Sequence, residues 1–199
     1  MNKKLLVTFI TLLAVAMLAT PLIGAAQACR HGARLKKIVP YETSISMAVV
    51  PGTTEEKWSE DGHVVIRKGT QRTGAYDGPL GVGILYSEAV ISVTKFEIPP
   101  SGTPPSSVGH GGAIYKEKYV IESGPFGAGT LEGICIMKWD INTVNTPQYY
   151  DYVGYSTFGH GTGGLAGITL KYKTTGSALP AAPGLPPPPG LQEGVMIMS

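Results

Sequence analysis

A chain of 199 residues with 27 glycines, 16 prolines and 15% charged residues is too turn-rich for a helical bundle and too poor in charge for a polyelectrolyte disordered chain. Lys3 and Lys4 lie in an export-type leader; without them 14 basic residues face 14 acidic ones, and the remainder is formally neutral. No nucleic-acid partner is expected, because counterion release needs a concentration of Lys and Arg that this chain lacks.

Met1 to Lys4 forms a short positive segment, Leu5 to Ala19 is almost wholly apolar, and Pro21 and Gly24 precede the small-x-small triplet Ala26-Gln27-Ala28. That tripartite pattern predicts a signal peptide over 1–28, and hence a secreted or cell-surface location. The apolar run is shorter than the roughly 20 residues that span a bilayer, so no membrane span is expected in the mature chain. Cleavage would leave Cys29 first. Gln27 fits a lipid-attachment site badly, and Cys29 and Cys135 could instead form one disulfide or leave Cys135 as a buried thiol.

After an N-terminal lead (29–36) the pattern is that of one β-domain over 37–173. Val39, Tyr41, Thr43, Ile45, Met47 and Val49 alternate with smaller or polar residues and predict a strand, and residues 51–62 read as a polar, turn-rich stretch. Residues 63–68 predict a second strand. Residues 80–98 predict a long one whose apolar face changes phase, which calls for a bulge near Ser87-Glu88. A loop over 101–112 follows, then strands over 114–123, 130–141, 149–158 and 165–173. In the last, Ala166, Ile168, Leu170 and Tyr172 point inward. Seven strands, or eight if the bulged one is divided, without intervening helices predict an all-β, antiparallel barrel of about eight strands. From Thr174 the composition shifts to Pro, Ala and Gly; Pro186 to Pro189 impose polyproline II, so 174–199 reads as a Pro-rich disordered tail, a spacer or a docking ligand. A chain ending this way does not fit an outer-membrane barrel.

Three glycine clusters stand out: Gly78-Pro79-Leu80-Gly81-Val82-Gly83, Gly124-Pro125-Phe126-Gly127-Ala128-Gly129 and Gly159-His160-Gly161-Thr162-Gly163-Gly164. A phosphate-cradling loop would need a helix N-terminus after the glycines, and strands follow instead. Tight turns and close backbone packing are the expected role. The third cluster, continued through Leu165-Ala166-Gly167, resembles the G-x-G-x-[FL]-x-G signature of allene oxide cyclase-like and dirigent-like β-barrels. The order Gly62 to Arg67, Gly78 to Gly83, then Gly129 to Gly133 resembles exported prokaryotic members of that calycin-like group. The resemblance implies an eight-stranded barrel with an apolar pocket and a tendency to associate. No catalytic position of either family aligns with this chain, so no activity is carried over.

Candidate chemistry is sparse. His31, His63, His110 and His160 are scattered without metal-ligand spacing, and no metal or cofactor is expected. His110 and His160, flanked by glycines, are read as turn residues. Cys135 reads as a small core residue, and no serine sits in a nucleophile elbow. Glu88, Glu122, Glu132 and Asp140 lie in or beside strands, where an inward carboxylate would be a general-acid candidate. Tyr115, Tyr119, Trp139, Tyr149, Tyr150, Tyr152 and Tyr155 could line a pocket or a partner surface; Trp139, between Met137 and Ile141, is expected in the core. The expectation is an exported, non-catalytic binding or surface-associated module for a small apolar ligand. An isomerase or steering protein on the same barrel is one alternative, and a structural component of an envelope or filament, with a homo-oligomer or envelope partner, is another.

Overall fold

The computed structural model describes residues 36–103, 105–146, 148–178 and 189–199. The expected signal peptide over 1–28, Cys29, His31 and residues 179–188 lie outside the described residues. The described chain is all-β, with eleven strands and one short 3-10 turn. The strands are β1 Lys37–Ile45, β2 Ala48–Val49, β3 Glu55–Trp58, β4 Val64–Lys68, β5 Gln71–Gly78, β6 Gly81–Ser101, β7 Ser106–Ser123, β8 Gly129–Asn142, β9 Tyr149–Gly161, β10 Ile168–Ala178 and β11 Gly190–Met198; the turn is Gly163–Leu165. All ladders are antiparallel, and the sheet runs β1-β11-β10-β9-β8-β7-β6-β4-β3 with β5 also on β6.

Burial alternates along the strands, as a sheet with one covered face requires. In β10, Ile168, Leu170 and Tyr172 are buried, and in β1 Tyr41 and Ile45 are. Ala166, expected inward, is exposed before β10 begins, and Leu165 of the 3-10 turn takes the core position. The main core cluster combines Tyr41, Tyr76, Leu85, Tyr119, Leu131, Phe158, Leu170 and Met196, so residues of β1 and β5, at separate edges of the sheet, meet over one core.

The eight strands β5-β6-β7-β8-β9-β10-β11-β1 wrap that core, but the expected barrel is not closed. No ladder joins β1 to β5 among the described residues. The edge of β5 at Arg72-Thr73 is taken by two-residue β2, and the contact further along is a side-chain one, Thr43 Oγ1 donating to the Asp77 carbonyl at 3.4 Å. Two strands absent from the sequence reading, β3 and β5, hang on β4 and β6.

The far end of the expected tail is also corrected. Strand β10 continues to Ala178, and β11 lies between β10 and β1 with paired registers on both sides. Gln192 and Met196 point into the core while Leu191, Glu193 and Val195 face out. The 190–198 segment is thus an interior strand held by two ladders.

The expected bulge on the long strand exists two residues later than read. The β6–β7 register shifts between Ala89 and Ile91. Inward positions change there from Leu85, Ser87 and Ala89 to Ser92, Thr94 and Phe96, which is what one extra residue does to a period of two. The partner on the other edge of β6 changes at the same point: β5 pairs residues 81–88, and β4 pairs residues 92–95. Between them the chain turns through Gly69 at φ +68°; Gly69 N–H donates to the Ala89 carbonyl and Ala89 N–H to the Thr70 carbonyl, each at 2.9 Å.

The glycine clusters pack on one another. A Cβ on Gly81, whose φ is +128°, would overlap the Ser123 carbonyl beside Gly124, and one on Gly164 would overlap the Phe126 carbonyl beside Gly127. Backbone therefore lies against backbone where three strand ends meet, as the turn reading required. The third cluster runs into the 3-10 turn before β10 rather than directly into a strand.

Candidate functional site

The change of partner along β6 leaves a hollow on the inner face. Arg67 of β4, Thr70 and Arg72 of the corner and β5, and Ala89, Ser92, Thr94 and Phe96 of β6 form one side; Tyr115, Trp139, Ile141 and Tyr150 form the other. It encloses about 120 Å³, below the roughly 300–1,000 Å³ of sites for drug-sized ligands, so it suits only a small group. Trp139, Tyr115 and Cys135 belong to a second apolar cluster joined by Met137, Ile141, Tyr150 and Tyr152, so the aromatic wall rests on packed side chains.

The two arginines differ. Arg67 Nε sits 2.6 Å from Glu56 Oε2, in a pair whose side chains keep a third of their surface exposed. Arg72 forms no ion pair among the described residues, and its Nε is buried with no hydrogen-bond partner. Its guanidinium lies over the Tyr115 ring, 4.9 Å from the centroid. Burial raises the Tyr115 hydroxyl above its ordinary range, opposed by the Arg72 charge. Burial likewise pushes Tyr150 up to about 12. Both rings are neutral walls at any physiological pH.

Beyond Tyr115 along β7, Glu117 carries the one inward carboxyl of this part of the sheet. Ser156 Oγ and the Tyr172 hydroxyl both donate to its Oε2, at 3.1 and 3.3 Å. The residue as a whole is half-buried, but its carboxyl is surrounded by protein, and desolvation raises its pKa to about 7 despite those two hydrogen bonds and the more distant Arg72 charge. From Tyr172 a chain of hydroxyls leads deeper. Tyr119 donates to Tyr172 at 3.1 Å, its oxygen lies 3.1 Å from Tyr41, and Gln192 Oε1 sits 3.2 Å from both Tyr41 and Tyr119. Strand β11 thus contributes a polar atom to the centre of the core.

The candidates read from sequence separate cleanly. Glu88, Glu122, Glu132 and Asp140 are all exposed, and Glu132 pairs with Lys118 at 2.8 Å. The inward carboxyl is Glu117, which the sequence reading passed over. His110 and His160, expected in turns, lie in β7 and β9 and are exposed. His63 precedes β4, with Nδ1 2.7 Å from the Phe96 carbonyl. Cys135 is a free, buried thiol whose pKa burial raises, next to the neighbouring Glu117 charge. Trp139 is in the core as expected, with Tyr115, Tyr119 and Tyr172; Tyr155 faces outward, 62% exposed. No group of His, Cys, Asp and Glu among the described residues could hold a metal ion, and no helix among them is long and apolar enough to cross a membrane.

No family model, no curated protein and no solved structure matches this chain.

Proposed function

We propose that the chain is an exported, non-catalytic binding module that holds a small ligand with a largely apolar body in the hollow between β4, β5, β6 and the β7–β9 wall. The carrying observation is the hollow itself: the aromatic side chains of Tyr115, Trp139 and Tyr150 across from a side that carries Phe96 and a few polar groups, the combination that binds and orients small molecules. The tripartite N-terminus supports export. Kinship with allene oxide cyclase-like and dirigent-like barrels is also our reading, carried by the Gly161–Gly167 motif. A second reading, an isomerase on the same sheet, draws on Glu117, an inward carboxyl with a pKa near 7.

Native mass spectrometry of the protein purified from its own host tests the binding reading. A discrete organic mass that is lost on denaturation is expected. A protein that is free of ligand, and whose tryptophan emission is unmoved by millimolar 2-naphthoate or 2-naphthamide, would overturn it.

A further inference from the structure

Arg72 is the unusual member of the hollow. A buried guanidinium nitrogen without a partner is costly, and such groups are ordinarily satisfied by a carboxylate or a carbonyl. Arg67 has Glu56; Arg72 has no acid within ion-pair distance among the described residues. Glu117, the inward acid of this part of the sheet, has its Oε2 engaged by Ser156 and Tyr172 instead. The Arg72 guanidinium carbon lies 4.9 Å from the Tyr115 ring centroid and the side chain lines the hollow, while its Nε–H is enclosed by protein and unpartnered. A guanidinium presents its N–H groups as a fork matched to the two oxygens of a carboxylate.

The walls restrict the remainder of the ligand. Four aromatic side chains line the hollow. Past Tyr115 the core is filled by Tyr41, Tyr76, Tyr119 and Phe158, each at most 2% exposed, so a long acyl chain cannot run on into the core. Resting on the reading of this hollow as a ligand site, we propose that Arg72 anchors a carboxylate and that the ligand is a small planar aromatic acid. Ser92 and Thr94, both buried on the β6 side, supply hydroxyls to its polar edge.

The test is titration of the full protein with 2-naphthoate, its neutral isostere 2-naphthamide, and laurate, followed by calorimetry and tryptophan emission. The wild type binds naphthoate about 10- to 100-fold more tightly than the amide, the worth of a charge-assisted hydrogen bond. Arg72→Met abolishes the preference for naphthoate over the amide; Arg72→Lys, which keeps the charge but loses the fork, retains part of it. If naphthoate and naphthamide bind equally, the anionic anchor is wrong while the hollow remains a ligand site. If laurate binds more tightly than naphthoate, the planar-acid inference is wrong. If none of the three binds, the site reading fails with it. Because the amide comparison uses the wild type alone, a misfolded Arg72 variant does not blunt the test.

Discussion

Glutamine in place of Glu117 isolates the cost of keeping a carboxyl in the core. Below the ordinary carboxyl range both the folded and the unfolded chain hold this proton, and the carboxyl takes nothing from stability. As pH rises the unfolded chain ionises near 4.5, while the folded chain keeps its proton until about 7. Stability therefore falls through this window and levels off above about 7. A tenfold change in proton affinity is worth about 1.4 kcal/mol, so the loss amounts to about 3 kcal/mol between pH 4.5 and 8. Glu117→Gln keeps an oxygen to accept from Ser156 and Tyr172 but cannot ionise. Urea denaturation at pH 5, 6, 7 and 8 should show the wild type losing stability relative to the variant by that amount. A wild-type profile parallel to that of Glu117→Gln would refute the argument, because the carboxyl would then be titrating as if in water.

Three further outcomes follow from the packing. Gly81→Ala places a Cβ against the Ser123 carbonyl at a φ that L residues avoid, and should cost at least about 2 kcal/mol in chemical denaturation. Tyr119→Phe removes the hydroxyl shared by Tyr41, Tyr172 and Gln192 and should cost about 1–3 kcal/mol, read by the same denaturation curves, with the pH profile of Glu117 preserved. The Cys135 thiol, buried and raised in pKa, should resist a thiol-reactive disulfide reagent in the native protein and react only at the rate of unfolding.

What could be read from the sequence depended on contrast between the two faces of each strand. The alternation through Tyr41 and Ile45, the phase change on β6 and the inward set of β10 were legible because apolar and polar residues take turns there. Strand β3 was not, since all four residues of Glu55–Trp58 are exposed at a sheet edge and no buried side leaves a trace. In β5 the inward positions include Arg72 and Gly74, which carry no apolar signal. The composition of the proline run hid β11, although Gln192 and Met196 alternate with Leu191, Glu193 and Val195. Glu117 was masked by its neighbours: Lys116-Glu117-Lys118 reads as a solvated charge triplet. Its parity with Tyr115, Tyr119 and Ile121 on one strand was the signal available, because three buried residues at period two oblige the fourth to point the same way. The hollow itself depends on β4 and β5 sharing one edge of β6, a pairing that no local pattern encodes.

The most direct measurement is the arginine Nε–H region of a nitrogen-15 correlation spectrum, recorded as 2-naphthoate is added to the protein. A carboxylate seated on the Arg72 fork should shift its Nε–H resonance strongly downfield and slow its exchange with water, with Arg67, already held by Glu56, little changed. An Arg72 signal that stays in place while naphthoate binds, or while the Arg67 signal moves instead, would contradict the account.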